Sequence, residues 1–141
     1  MVSVLEIIHG MKEIFKEAKL VYLTTFDEEG NKRHRPMTNY NEDPYNTMWF
    51  PTFKRTRKVE HILRNPEVLV TFASEKVGEF YEIDGEAELA SDDAVEEKWT
   101  WWLLSWLPDE ELNYRMTSDA PFSNRAIINV HPKSARIVVQ P

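Results

Sequence analysis

The segment Trp49-Phe50-Pro51-Thr52-Phe53-Lys54-Arg55-Thr56-Arg57-Lys58 gathers two hydroxyls and two cations, on Thr52, Thr56, Arg57 and Lys58, where a strand should give way to a loop and then to a helix. Amides at a helix N-terminus are unpaired and carry a partial positive charge, so an anion docked there gains hydrogen bonds without breaking internal ones. Thr52 and Thr56 can add hydroxyl donors, Arg57 a planar fork and Lys58 a mobile point charge. Each charge-assisted hydrogen bond is worth about 1.5–3 kcal/mol, and one phosphomonoester can use all of them. Cations at this end of a helix are opposed by its dipole by about 0.3 kcal/mol or more, so gathering them there calls for a compensating anion. The plain alternative is that Arg57 and Lys58 are solvated residues on the first turn of an exposed helix and Thr56 is only its cap.

The charge around this segment is uneven. The 141-residue chain has a net charge of −7, which argues against general affinity for nucleic acid or anionic membranes. Between Asn31 and Arg64, however, eight basic residues stand against three acidic ones, a net +5, while the remainder carries −12. There is no cysteine, so disulfides, iron–sulfur ligation, thiolate zinc sites and cysteine nucleophiles are excluded and redox chemistry would have to come from a bound cofactor. His9, His34, His61 and His131 are scattered without the spacing of a metal site, and no GxSxG, P-loop or GxGxxG motif is present. The first 30 residues do not read as a signal peptide and no stretch is long and apolar enough to span a bilayer, so a cytoplasmic protein is expected.

The length suits a single domain over residues 1–141. Val4, Ile7, Ile8, Met11, Ile14 and Phe15 recur at helical spacing after a Ser3/Glu6 capping box. Leu20 to Phe26 and the run through Tyr40 read as a hairpin about Asp27 to Asn31, and Thr47 to Thr52 as a third strand. Thr56 should cap a short helix with Val59, Ile62 and Leu63 inward, ended by Asn65-Pro66. Glu67 to Ala73 and Glu79 to Ala90 follow as strands, the latter alternating Phe80, Glu82 and Asp84 with Tyr81 and Ile83 and bulging at Gly85. Ser91, Asp92 and Asp93 start a helix with Val95, Trp99, Trp102, Leu103 and Trp106 on one stripe and Trp101 and Leu104 off it, as a dimer contact would require. Arg125 to His131 and Ala135 to Val139 close the chain as two strands. Hairpin-length connections favour an antiparallel barrel with helices outside, a mainly β (α+β) fold.

From about Leu20 to Ala90 this order resembles the pyridoxamine 5′-phosphate oxidase-like family of FMN-binding split barrels, especially its general-stress-protein branch. The resemblance lies in Val21-Tyr22-Leu23-Thr24-Thr25 with Gly30, Arg35-Pro36-Met37, the Trp49 to Lys58 segment, Asn65-Pro66 with Val68, and Asp84-Gly85-Glu86-Ala87. It implies a Greek-key split barrel of six or seven antiparallel strands with flanking helices, and a homodimer with FMN at its interface. Thr52, Arg57 and Lys58 match positions that hold the flavin phosphate, with Thr56 assisting. Arg35, Pro36 and Met37 match the strand beside the isoalloxazine ring, where Arg35 could reach the phosphate or ribityl chain, and Phe50 and Pro51 match the segment flanking the ring. Should the resemblance not hold, Arg35 is an exposed strand residue and Phe50 an ordinary core aromatic. The C-terminal half lacks the basic and aromatic ending by which pyridoxamine phosphate oxidases hold their substrate, which argues against vitamin B6 oxidation.

The leading functional expectation is therefore a flavin-dependent oxidoreductase acting on a small molecule, with FAD or the deazaflavin F420 as alternatives to FMN. The competing one is a non-catalytic flavin or haem carrier or sensor on the same barrel. Trp101 could pack against the flavin of a second subunit or line a substrate pocket, whereas Trp99, Trp102 and Trp106 read as core. A nucleic-acid contact through Lys54 to Lys58 is disfavoured by the short cluster and the net charge.

Overall fold

The computed structural model describes residues 8–98 and 125–139. Six strands form one antiparallel sheet: β1 (Leu20–Phe26), β2 (Lys32–Thr38), β3 (Met48–Phe53), β4 (Glu67–Ala73), β5 (Glu79–Leu89) and β6 (Arg125–Val139). Their order is β2-β1-β4-β5-β6-β3. The β1–β4 and β3–β6 neighbours are not consecutive in the chain, so the path is a Greek key rather than a meander, and the sheet curls into the expected split barrel. Two short helices are α1 (Met11–Glu17) and α2 (Arg57–Arg64), and residues 92–98 are helical.

The main core fills the curl, with a smaller cluster about Val95 and Ile127 beside it. Met11 and Phe15 from α1, Val21 and Leu23 from β1, Met48 and Phe50 from β3, Val70 and Phe72 from β4, Ile83 from β5 and Ile128 and Val130 from β6 are all buried in it. Phe15 meets Phe72 edge-on at 5.2 Å, and Phe72 in turn lies 5.3 Å from Tyr81. The alternation read in β5 holds, with Tyr81, Ile83, Gly85 and Ala87 inward.

Four expectations are corrected. The first helix does not run on through residue 10: Gly10 lies at φ 83°, a conformation that interrupts a right-handed helix, so α1 starts at Met11. The Ser3/Glu6 capping box and Trp99 to Trp106, including Trp101, lie outside the described residues. The buried arc of α2 runs through Val59, His61 and Ile62, while Leu63 is exposed, because the helix leans on β1 with its His61 side. Thr56 occupies the cap position of α2 without capping it. The last two predicted strands are one, β6, which passes through Pro132 without a break.

The last correction has a local cause. Asp84 pairs with Ser134 but Gly85 with Pro132, so Lys133 is an extra residue and Pro132, which has no N–H to donate, sits at the bulge where one is least needed. Gly85 is required there by space: a Cβ on it would lie 2.6 Å from Val130 Cγ1 and 3.1 Å from the His131 carbonyl oxygen. Gly85→Ala is expected to destabilise the fold by about 1–3 kcal/mol, measured by denaturant unfolding. On the outer face beside the bulge, Arg136 donates to Asp84 and Glu82 across the β5–β6 ladder, which holds the Asp84 carboxyl below its ordinary range. Among the described residues no helix is long and apolar enough to cross a membrane.

Candidate functional site

The two edge strands carry the residues singled out in the sequence. Arg35, Pro36 and Met37 lie on β2 at one end of the sheet, and Phe50, Pro51 and Thr52 on β3 at the other. An edge strand leaves a row of peptide N–H and C=O groups facing away from its neighbour, available to a ligand. Met37 and Phe50 point into the core, so toward a ligand they offer backbone only, whereas Pro36 faces outward and Pro51 is half-buried. Strand β3 is fixed from its open side by Asn41, which accepts from the Trp49 N–H at 2.9 Å and donates to its carbonyl at 3.0 Å.

The chain then turns from β3 into α2. Thr56 has the extended backbone of a cap residue, but its hydroxyl donates back to the Phe53 carbonyl at 2.9 Å instead of accepting from the helix. No side chain caps α2, and the amides of its first turn are left for another acceptor. The hydrogen of Thr56 is thus committed within the loop, which weakens its expected part as a donor. Thr52 is different. It is 4% exposed, and its buried Oγ1 has no hydrogen-bond partner. Leaving a buried hydroxyl unsatisfied costs about 1–3 kcal/mol, which a fold tolerates where a ligand supplies the partner.

Six of the eight basic residues of this region fall into two groups. Arg33 is paired with Asp27, Lys54 with Asp92 and Arg64 with Glu28. Among the described residues Arg35, Arg57 and Lys58 have no carboxylate partner. Arg35 and Arg57 line one cleft of about 430 Å³ between α2 and the β1–β2 turn. Of the acids of that turn, Asp27 accepts from the Glu29 and Asn31 amides and from Arg33, Glu28 holds Arg64, and Glu29 accepts from the Asn31 side-chain amide, with Glu60 of α2 as the further carboxylate on the wall. Burial lowers the affinity of Lys58 for its proton and the nearby Arg35 guanidinium lowers it further, while Arg35 itself is pushed down by burial and then by Arg33. Half-buried cations that repel one another, with no carboxylate partner among the described residues, are chemically suited to an anion.

Beneath the cations lies a polar relay that the sequence did not reveal. The Arg35 guanidinium donates to Thr25 Oγ1 at 3.1 Å, and Thr25 Oγ1 lies 2.9 Å from Nδ1 of the buried His61. One signal was present: Val21, Leu23 and Thr25 share the inward side of β1, and an inward hydroxyl needs a partner. Nothing in the sequence marked His61 as that partner.

A split barrel with basic residues gathered between a strand end and a helix start is the class that the fold and site define. The family described as pyridoxamine 5′-phosphate oxidase like matches residues 6–137, and the chain belongs to it. No curated protein matches. Among solved structures, a protein from Listeria innocua described as a pyridoxamine 5′-phosphate oxidase is 24% identical, with 89% of this chain and 93% of that one covered and a TM-score of 0.68. An F420 reductase is 19% identical over 92% and 98% of the two chains, with a TM-score of 0.66. A pyridoxamine 5′-phosphate oxidase-related, FMN binding protein from Nostoc punctiforme is 14% identical over 91% and 78%, with a TM-score of 0.62.

Proposed function

We propose that this chain binds FMN and works as a flavin-dependent oxidoreductase on a small molecule. The observation that carries the reading is the set of cations at an uncapped helix start with no carboxylate partner among the described residues, and a buried threonine hydroxyl lacking a partner there on the strand before it. This donor set fits a phosphate dianion. Arg57 and Lys58 would hold its oxygens with the first amides of α2, Thr52 would donate its hydroxyl, and Arg35 would reach the phosphate or the ribityl chain. The solved relatives, one FMN binding and one an F420 reductase by description, support a flavin-type ligand.

FMN would supply the hydride and electron chemistry, and the protein its binding, orientation and surroundings. The backbone of β2 from Arg35 to Met37 would meet the polar edge of the ring. Because Met37 and Phe50 are turned into the core, one chain offers the ring few side-chain walls, and we propose a homodimer whose second copy completes them. The second reading is a carrier or sensor of the same fold, since a donor set that holds a phosphate serves binding whether or not turnover follows.

An absorption spectrum of the purified protein, with chromatography of the released ligand, tests the proposal. A flavin spectrum with FMN released is expected, and a colourless protein that also fails to bind added FMN would overturn it. Turnover of reduced nicotinamide or a dye above that of free FMN separates enzyme from carrier. At residue level, Thr52→Val is expected to stabilise the ligand-free protein by about 1 kcal/mol, since an apolar group of the same shape replaces an unsatisfied hydroxyl, while weakening FMN binding about tenfold. Thermal unfolding and a fluorescence titration measure the two effects.

A further inference from the structure

We infer that Thr25 and His61 are positioning residues that aim Arg35 at the anion, an inference that rests on the FMN reading above. Thr25 is fully buried and His61 is 8% exposed, and neither belongs to the segment from which the binding residues were read. A guanidinium has only donors, so in the Arg35–Thr25 bond the threonine oxygen accepts. Thr25 Oγ1 has no other acceptor for its own hydrogen among the described residues, so that hydrogen goes to His61 Nδ1. His61 Nδ1 is thereby the accepting nitrogen of the pair. The order of donation runs one way, from Arg35 through Thr25 to His61.

This relay does what electrostatics alone would undo. Arg35 is repelled by Arg33 on its own strand and by Lys58 on α2, and its long side chain would otherwise turn out to solvent. The Thr25 oxygen holds it over the cleft. His61 stands on α2 four residues beyond Arg57 and three beyond Lys58, so the same hydrogen bond that orients Thr25 also ties the helix carrying those cations to β1. Three elements that each contribute to the cradle, namely β2, α2 and, through Thr25, β1, are thus set in one geometry before any ligand arrives. Binding a ligand to groups already in place avoids the cost of ordering them.

The test compares FMN with riboflavin, which lacks the phosphate, on the full chain by fluorescence titration. Thr25→Val removes the oxygen that Arg35 requires, and Thr25→Ser restores it. His61→Leu removes the acceptor, and His61→Asn places a carboxamide oxygen near the position of Nδ1. Thr25→Val and His61→Leu are expected to weaken FMN about tenfold and leave riboflavin unchanged, with Thr25→Ser and His61→Asn close to wild type. Unchanged FMN affinity in both Thr25→Val and His61→Leu would overturn the inference, and so would an equal loss of both ligands, which a mere packing role predicts. A wild-type chain that does not prefer FMN to riboflavin would overturn the phosphate reading itself, and the relay's role with it. If Thr25→Val fails to fold, the His61→Leu and His61→Asn pair carries the same comparison.

Discussion

Replacing Lys58 by Met is expected to lower FMN affinity about 10- to 100-fold while leaving the ligand-free fold slightly more stable than wild type. The first effect is the loss of one charge-assisted hydrogen bond to phosphate. The second follows from the surroundings of Lys58, which is partly buried beside Arg35 with no carboxylate to offset either cation among the described residues. Removing it relieves repulsion of about 0.5 kcal/mol, a small value because both groups keep contact with water. The sign of the pH dependence gives a second measure. Burial and Arg35 depress the proton affinity of Lys58 in the folded state, so at high pH the unfolded chain binds more protons and stability rises as the pH approaches the ordinary lysine range. Lys58→Met should abolish that rise. A variant that loses FMN affinity and stability together would show that Lys58 is structural and would count against the anion site.

Phe15→Ala should have the largest effect on stability, about 3–5 kcal/mol. The ring is fully buried where α1 meets the barrel, in edge contact with Phe72, and its removal leaves a cavity among residues from several strands. For a chain of this size that loss lowers the unfolding temperature by about 10–20 °C. A shift of a few degrees would mean that α1 only rests on the sheet. Denaturant unfolding with an unchanged slope would confirm that the effect lies in the native state.

Much of this was legible because burial leaves a period in the chain. The alternation of Tyr81 and Ile83 with Glu82 and Asp84 marked β5, and the crowding of cations between Lys54 and Lys58 marked the segment from which the cradle is proposed. Other features depend on what lies across space. Pro132 reads as a break, yet the bulge opposite Gly85 absorbs it. Thr56 reads as a cap, yet the Phe53 carbonyl claims its hydroxyl. Leu63 fits the apolar period of α2, yet the helix buries His61 instead, to meet a threonine 36 residues earlier. Local pattern fixes which residues face inward, and only the tertiary pairing decides what a polar group among them will meet.

The pairing of β3 also bears on how the protein is made. Residues 20–38 and 67–89 can find one another as soon as β5 has been synthesised, since β2, β1, β4 and β5 are neighbours in the sheet. Strand β3 has no partner among them: among the described residues Met48 to Phe53 pair with Val130 to Arg125. On a ribosome β3 must therefore wait for its strand partner through the synthesis of about 70 further residues, a span of several seconds at ordinary translation rates. The strand that delivers Thr52 is the last to be seated, so Thr52 joins Arg35 and α2 only at the end of synthesis.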